Sequence, residues 1–136
     1  MPELRQSREL LTSVDNWLAS VLYGGVIEEV MMRLFLMSLL ALIIRKLFAR
    51  RSEKTPAAVI TAANIIAALL FAAGHLPATV SMFGALTPML LVRCFLLNGA
   101  FGVLFGELYR RYGIQYAMLS HALLHIVSKT IWLLFV

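Results

Sequence analysis

Apolar residues dominate the chain in four long runs, which are separated by short polar or basic stretches. The runs begin near Trp17, Ala57, Met89 and Tyr116. Each is near the roughly 20 residues that a helix needs to cross the hydrocarbon core of a bilayer. The first run extends to about Phe48, which is longer than a single span requires. The pattern predicts an all-α fold, a polytopic membrane helix bundle with about four transmembrane helices.

Composition supports the same class of protein. Of the 136 residues, 61% are hydrophobic and only 14% are charged, which is too apolar for a soluble domain of this size. Residues 1–16 carry mixed charges and are expected to form a polar or interfacial segment. Residues 17–136 are expected to form a single membrane-embedded helical domain. One cysteine, Cys94, excludes an intramolecular disulfide and a thiolate cluster.

The net charge of +5 comes mainly from basic residues between the apolar runs. Five lie between residues 45 and 54, and Arg110 and Arg111 follow the third run. By the positive-inside rule we expect these two connectors to be cytoplasmic. We interpret their basic residues as topology signals, so we expect the protein to contact membrane lipid and not nucleic acid. The remaining connector, residues 77–88, contains two prolines and a glycine and is expected to be irregular.

Three ionisable residues interrupt the middle of the first run, in the stretch GGVIEEVMMRLFLM. They are Glu28, Glu29 and Arg33. Ionisable side chains inside a span are costly, so they are usually paired or functional. Residues four apart share a helix face, so Glu29 and Arg33 can form an ion pair. Glu28 is turned about 100° away and is free to face another group. The alternative is a purely stabilising network in which both carboxylates share Arg33.

Three histidines lie in the later runs. His75 ends the second run in FAAGHLP, and His121 and His125 lie one helical turn apart in HALLH, in the fourth. Two histidines at this spacing can present two ring nitrogens to one ligand or metal. The alternative for His75 is a hydrogen-bonded interfacial residue. Lys129 continues the face of His121 and His125 and is expected to extend toward the membrane surface.

Three short motifs in this order resemble those of the CPBP family of intramembrane proteases. EEVMMR at residues 28–33 has the form EExxxR, FAAGH at residues 71–75 has the form FxxxH, and HALLH at residues 121–125 has the form HxxxN or HxxxD with His125 in the last position. The family includes the type II CAAX prenyl endopeptidases and the Abi, or bacteriocin-processing and immunity, proteins. The resemblance covers roughly residues 20–130. The family's members usually have additional membrane helices, so we expect this chain to be a short member, a truncated product or a fragment.

The resemblance implies an intramembrane endopeptidase that hydrolyses a peptide bond with a Glu/His-activated water. In that scheme Glu28 and His75 hold and deprotonate the water, His121 and His125 stabilise the oxyanion, and Arg33 orients the glutamate pair. The residues that the resemblance assigns to catalysis are Glu28, Glu29, Arg33, His75, His121 and His125. It further implies a peptide or protein substrate, lipidated substrates included, and a multi-pass protein of the bacterial plasma (inner) membrane.

Two alternatives stay open. The resemblance implies no cofactor, but Glu28, His75, His121 and His125 together are also a ligand set for zinc, which would make the protein a zinc-dependent membrane metalloprotease. In the other alternative the polar residues fix helix packing in a noncatalytic immunity or scaffold protein. The catalytic interpretation requires that the side chains of Glu28, His75 and His121 lie within a common cavity.

Overall fold

The computed structural model describes residues 14–135, so most of the predicted N-terminal segment, residues 1–16, lies outside the described residues. The described part of the chain forms four long helices and one short helix with no strand, which confirms the all-α prediction. The helices are α1 (residues 14–48), α2 (Ala57–Gly74), α3 (Leu76–Phe83), α4 (Pro88–Tyr112) and α5 (Ile114–Phe135).

Helix α1 changes its hydrogen-bonding pattern in the middle. It is α-helical over Val14–Leu22 and Ser38–Phe48, but Tyr23–Glu28 and Val30–Met37 are π-helical, with the wider turn in which each N–H bonds to the carbonyl five residues earlier. Glu28 ends the first π-helical segment, Glu29 lies between the two segments, and Arg33 lies in the second. A π turn rotates the following side chains relative to a regular α-helix, and such turns are frequent at functional sites.

The connector at residues 77–88 differs from the prediction of irregular backbone. Helix α3 follows α2 directly, with His75 between them at φ −86° and ψ −8°. Pro77 lies in the first turn of α3, where its missing N–H would have no helical acceptor. Gly84, with φ 77°, ends α3 in the left-handed conformation. Only the short stretch up to Thr87, whose side chain caps α4 by accepting from Leu90 N, is irregular.

Helix α2 lies at the centre of the bundle and contacts both α1 and α4, while α5 packs against α1 and α4. The buried face of α2 is built mainly of alanines, including Ala63, Ala67 and Ala68, which are at most 1% exposed. Small side chains let helix backbones approach closely in a membrane. Gly102 of α4 lies directly against Ala68, where a Cβ would be crowded by both the side chain and the backbone of that alanine.

The distribution of polar and apolar side chains is that of a membrane protein. Large hydrophobic residues are exposed on every helix, as shown by Phe35, Leu70, Val80, Leu96 and Leu123. The buried polar residues are Glu29, Arg33, Asn64, His121 and Lys129. Within residues 14–135, two helical stretches, Ala57–Phe83 and Pro88–Tyr112, are long and apolar enough to cross a bilayer. Crossing by α1 and α5 stays a prediction.

Candidate active site

The structure brings together one carboxylate from α1 and two imidazoles from other helices. Glu28 Oε1 lies 4.0 Å from His75 Nε2, and Glu28 Oε2 lies 3.7 Å from His121 Nε2. The Glu28 side chain is 19% exposed and that of His75 is 32% exposed, whereas His121 is buried at 5%. These contacts bring the three side chains together and join α1, α5 and the junction of α2 with α3.

A second, fully buried pair supports His121 from behind. Glu29 Oε1 lies 2.8 Å from His121 Nδ1, and Glu29 Oε2 lies 3.2 Å from Arg33 Nε. Both Glu29 and Arg33 are 0% exposed, so the predicted ion pair is present. The guanidinium carbon of Arg33 also lies 5.5 Å from the ring centroid of Phe71. An uncompensated buried guanidinium is very costly, and the Glu29 carboxylate is the acidic partner that Arg33 has here.

Hydrogen bonding fixes the ring orientation of both histidines. His75 Nδ1 lies 2.9 Å from the carbonyl oxygen of Phe71, which can only accept, so Nδ1–H donates. His121 Nδ1 likewise donates to the Glu29 carboxylate. Both rings therefore direct Nε2 toward Glu28, and Nε2 carries a lone pair whenever the ring is neutral. His121 can donate a hydrogen bond from Nε2 only as an imidazolium.

Aromatic rings hold these histidines in place. The Phe71 ring meets the His75 ring edge to face at a centroid distance of 4.5 Å and the His121 ring at 5.9 Å. Phe105, which is 1% exposed, stacks on His121 at 4.5 Å with 20° between the ring planes. Ring rotation in this packed environment would disturb several contacts at once, so the Nε2 direction of His121 is strongly restricted.

His125 lies beside the site, where its ring contacts the ring of His121. The two rings stack at a centroid distance of 5.0 Å, and His125 is partly buried. Gly24 of α1 lies against both rings, since a Cβ there would meet Nε2 of His125 and Nε2 of His121. A glycine at this position therefore leaves the space that the two imidazoles occupy.

The zinc alternative requires several ligand side chains grouped around one point. Among residues 14–135, no three His, Cys, Asp or Glu side chains are grouped so that they could hold a metal ion. Zinc needs nitrogen and oxygen ligands at about 2.0–2.2 Å from one point. The zinc alternative, with Glu28, His75, His121 and His125 as ligands, therefore stays a prediction.

Lys129 of α5 contacts the start of α1. The side chain is only 8% exposed, and Nζ donates to Ser20 Oγ at 2.6 Å and to the carbonyl oxygen of Asn16 at 3.4 Å. The hydroxyl and the carbonyl, both near the start of α1, provide acceptors for the ammonium.

Arg93 was missed by the sequence reasoning. It lies near the start of α4 and lines a cavity that also contains His75. The available signal was a single basic residue within an apolar run. Unlike the basic residues of the connectors, Arg93 lies inside a helix.

Comparison with known families adds an independent finding. The family model described as type II CAAX prenyl endopeptidase Rce1-like matches residues 11–127. This range includes all six residues that the motifs indicate, Glu28, Glu29, Arg33, His75, His121 and His125. Searches of curated proteins and of solved structures find no match.

Proposed function

We propose that this chain, which belongs to the Rce1-like family of type II CAAX prenyl endopeptidases, hydrolyses a peptide bond with a water activated by Glu28 and His75. The family is one of membrane proteases with peptide or protein substrates. The observation that carries the proposed mechanism is the position of Glu28, whose carboxylate faces the Nε2 atoms of both His75 and His121 at 4.0 and 3.7 Å.

The distance between Glu28 and His75 suits a bridging water. A water that donates to two acceptors at about 2.8 Å each holds them roughly 4 to 5 Å apart. Glu28 Oε1 and His75 Nε2 are 4.0 Å apart, and both are acceptors when His75 is neutral. Such a water would direct its oxygen lone pair away from both groups, toward a substrate carbonyl carbon. The partial exposure of both side chains is compatible with the entry of water and substrate.

In the proposed reaction Glu28 takes a proton from the water as its oxygen bonds to the carbonyl carbon. The carbonyl electron pair moves to the oxygen, which becomes an oxyanion. Glu28 then delivers the proton to the amide nitrogen, the C–N bond breaks, and an acid and an amine are released. No covalent enzyme intermediate and no metal is needed for this sequence.

His121 is proposed to stabilise the oxyanion as an imidazolium. Its Nδ1–H is held by Glu29, so only a doubly protonated ring can donate from Nε2. The buried Glu29 carboxylate, kept ionised by Arg33, stabilises that positive ring through a charge-assisted hydrogen bond. A pre-oriented donor of this kind typically contributes about 10² to 10³ in kcat. His125, stacked on His121, is proposed as a second donor on the same side.

The test uses protein purified in detergent and quenched fluorescent peptides, with and without a prenylated cysteine. Glu28→Gln keeps the size of the side chain but cannot take a proton, so we expect cleavage to fall by about 10² to 10⁴. Glu107→Gln is the control, because Glu107 pairs with Arg110 and Arg111 away from the site. Circular dichroism and thermal unfolding verify that both variants fold.

Each result distinguishes the candidate functions. Wild-type levels of cleavage by the Glu28→Gln variant would contradict the proposed mechanism. If neither the wild type nor any variant cleaves the peptides, the noncatalytic scaffold would be favoured. A chelator leaves the proposed reaction unchanged. Loss of activity with a chelator, followed by recovery with zinc, would support the metalloprotease alternative.

A further inference from the structure

A second cavity, of about 480 Å³, opens between the C-terminal half of α1, the start of α2 and the end of α4. Its volume lies within the range of about 300–1,000 Å³ that is usual for small-molecule sites. Glu28, His75 and His121 do not line it. The cavity is therefore separate from the candidate active site, and its function has to be inferred from its own residues.

The outer end of this cavity is polar and basic. Arg45 lies in the last turn of α1 and Arg110 in the last turn of α4. Thr55, which precedes the start of α2, also lines the cavity. In a bundle that spans a bilayer, the ends of the helices lie at the level of the lipid headgroups. The two guanidinium groups are therefore placed where the phosphates of a membrane are found.

The inner part of the cavity is formed mainly by apolar side chains. Ala41 and Met37 lie about one and two helical turns before Arg45, and Met37 is only 3% exposed. Leu42 and Ile60 add to the same apolar wall. The cavity is thus charged at the membrane surface and apolar deeper in the bundle. A phospholipid has the same order, with its phosphate outside and its acyl chains inside.

The two hydroxyl groups of the inner part are already engaged with protein. Ser38 Oγ donates to the carbonyl oxygen of Arg33 at 3.3 Å and lies 3.0 Å from the hydroxyl of Tyr109. Because the Ser38 hydrogen is used in the first bond, the Tyr109 hydroxyl donates to Ser38 in the second. Neither hydroxyl has a hydrogen left for a polar ligand, so this part of the cavity suits a hydrocarbon chain.

Arg45 is a fixed cation without a counterion. Its Nη2 donates to the carbonyl oxygens of Ser52 and Glu53 at 3.1 and 3.2 Å. Among residues 14–135, no carboxylate forms an ion pair with Arg45. The two carbonyls hold the guanidinium in position but leave its charge uncancelled. A partly buried guanidinium in this state is preorganised to bind an anion.

Arg110 adds to the positive charge at this end of the bundle. Arg110 and Arg111 both pair with one carboxylate, that of Glu107. Two cations that share one anion leave one positive charge over. A guanidinium can bind two phosphate oxygens in a bidentate pair, so an anionic phosphate complements both arginines of the cavity.

We propose that this cavity binds one anionic phospholipid, with its phosphate at Arg45 and Arg110 and an acyl chain against Leu42 and Ile60. Basic pockets between membrane helices are suited to anionic headgroups. A zwitterionic lipid has the same phosphate, but its ammonium group offsets the charge that the arginines attract. Free phosphate lacks the chain that would fill the apolar part. The site uses none of the residues of the proposed peptidase reaction, so either proposal can fail without the other.

The experiment measures lipid binding to the full chain in a non-ionic detergent. Phosphatidylglycerol, phosphatidylcholine and inorganic phosphate are titrated separately, with native mass spectrometry to count bound lipids and thermal unfolding to follow stabilisation. For the wild type we expect one phosphatidylglycerol to bind about tenfold or more tightly than phosphatidylcholine. It should also raise the unfolding temperature, whereas inorganic phosphate at the same concentration should not.

Three variants separate a built site from general attraction to basic residues. Arg45→Gln should weaken phosphatidylglycerol binding by about tenfold or more, because it removes charged hydrogen bonds to the phosphate. Arg51→Gln removes an equal but exposed charge outside the cavity, and it should weaken binding by less than about fivefold. Ala41→Phe keeps every charge but fills the apolar part, so it should also weaken binding by tenfold or more. Unfolding without lipid verifies that each variant folds.

Several outcomes would overturn the proposal. Equal binding of the two lipids by the wild type would show that the site does not select an anionic headgroup. Equal losses in Arg45→Gln and Arg51→Gln, with none in Ala41→Phe, would show only general electrostatic attraction. Stabilisation by inorganic phosphate equal to that by phosphatidylglycerol would identify a site for a free anion instead of a lipid.

Discussion

His121 Nδ1 lies 2.8 Å from Glu29 Oε1, although the two residues are 92 positions apart in the sequence. This buried hydrogen bond connects the π-helical part of α1 to α5. It leaves Nε2 of His121 facing Glu28, which lies next to Glu29 in the chain. The adjacent carboxylates thus have different tasks: one is buried and orients the imidazole, and the other is partly exposed beside it.

Glu29→Gln should destabilise the fold as well as remove activity. The substitution leaves the guanidinium of Arg33 buried without a carboxylate, which typically costs about 3 to 5 kcal/mol. The double variant Glu29→Gln/Arg33→Met removes both charges and should recover much of the lost stability. Unfolding in detergent measures the free energy of both variants. A Glu29→Gln protein as stable as the wild type would contradict the burial of this ion pair.

His121→Phe should lower kcat by about 10² to 10³ and change KM little, because the lost donor acts on the oxyanion and not on the bound substrate. A phenyl ring keeps the packing on Phe105, so the thermal unfolding temperature checks that the bundle is retained. Steady-state kinetics with the best cleaved peptide measure the effect. A rise in KM at constant kcat would instead assign His121 to substrate binding.

His125→Asn should retain most of the cleavage activity. The substitution gives the last motif the form HxxxN, and an amide N–H can donate to an oxyanion as an imidazole N–H does. The activity of this variant should also be unaffected by a chelator. Loss of activity together with loss of bound zinc, measured by elemental analysis, would show that His125 is a metal ligand.

Gly24→Ala should destabilise the protein by about 1 to 3 kcal/mol, since the new methyl group overpacks the rings of His121 and His125. Displacement of His121 should lower the cleavage rate as well. Gly99→Ala is the matched control, because Gly99 also lies in a π-helical segment but has open space where a Cβ would be added. Equal effects of the two substitutions on unfolding and activity would contradict the proposed close packing.

The apolar pattern was sufficient for the four long helices, but it did not predict the short helix α3. The predicted starts near Trp17, Ala57, Met89 and Tyr116 fall within three residues of the observed ones at 14, 57, 88 and 114. Hydropathy is a local property, so it can be read from consecutive residues. The few ionisable residues within the spans also stood out in the sequence, because a membrane makes them costly.

The class of protein, the four long helices and the set of polar residues from which a site could be built were all predictable from the order of the amino acids. Three contacts became visible only in the folded bundle: Glu29 bonds to His121, Glu28 lies between the two Nε2 atoms, and Arg93 shares a cavity with His75. These contacts depend on the π-helical turns of α1 and on how helices far apart in the chain cross. Neither property is encoded in the spacing of apolar residues, which describes one helix at a time.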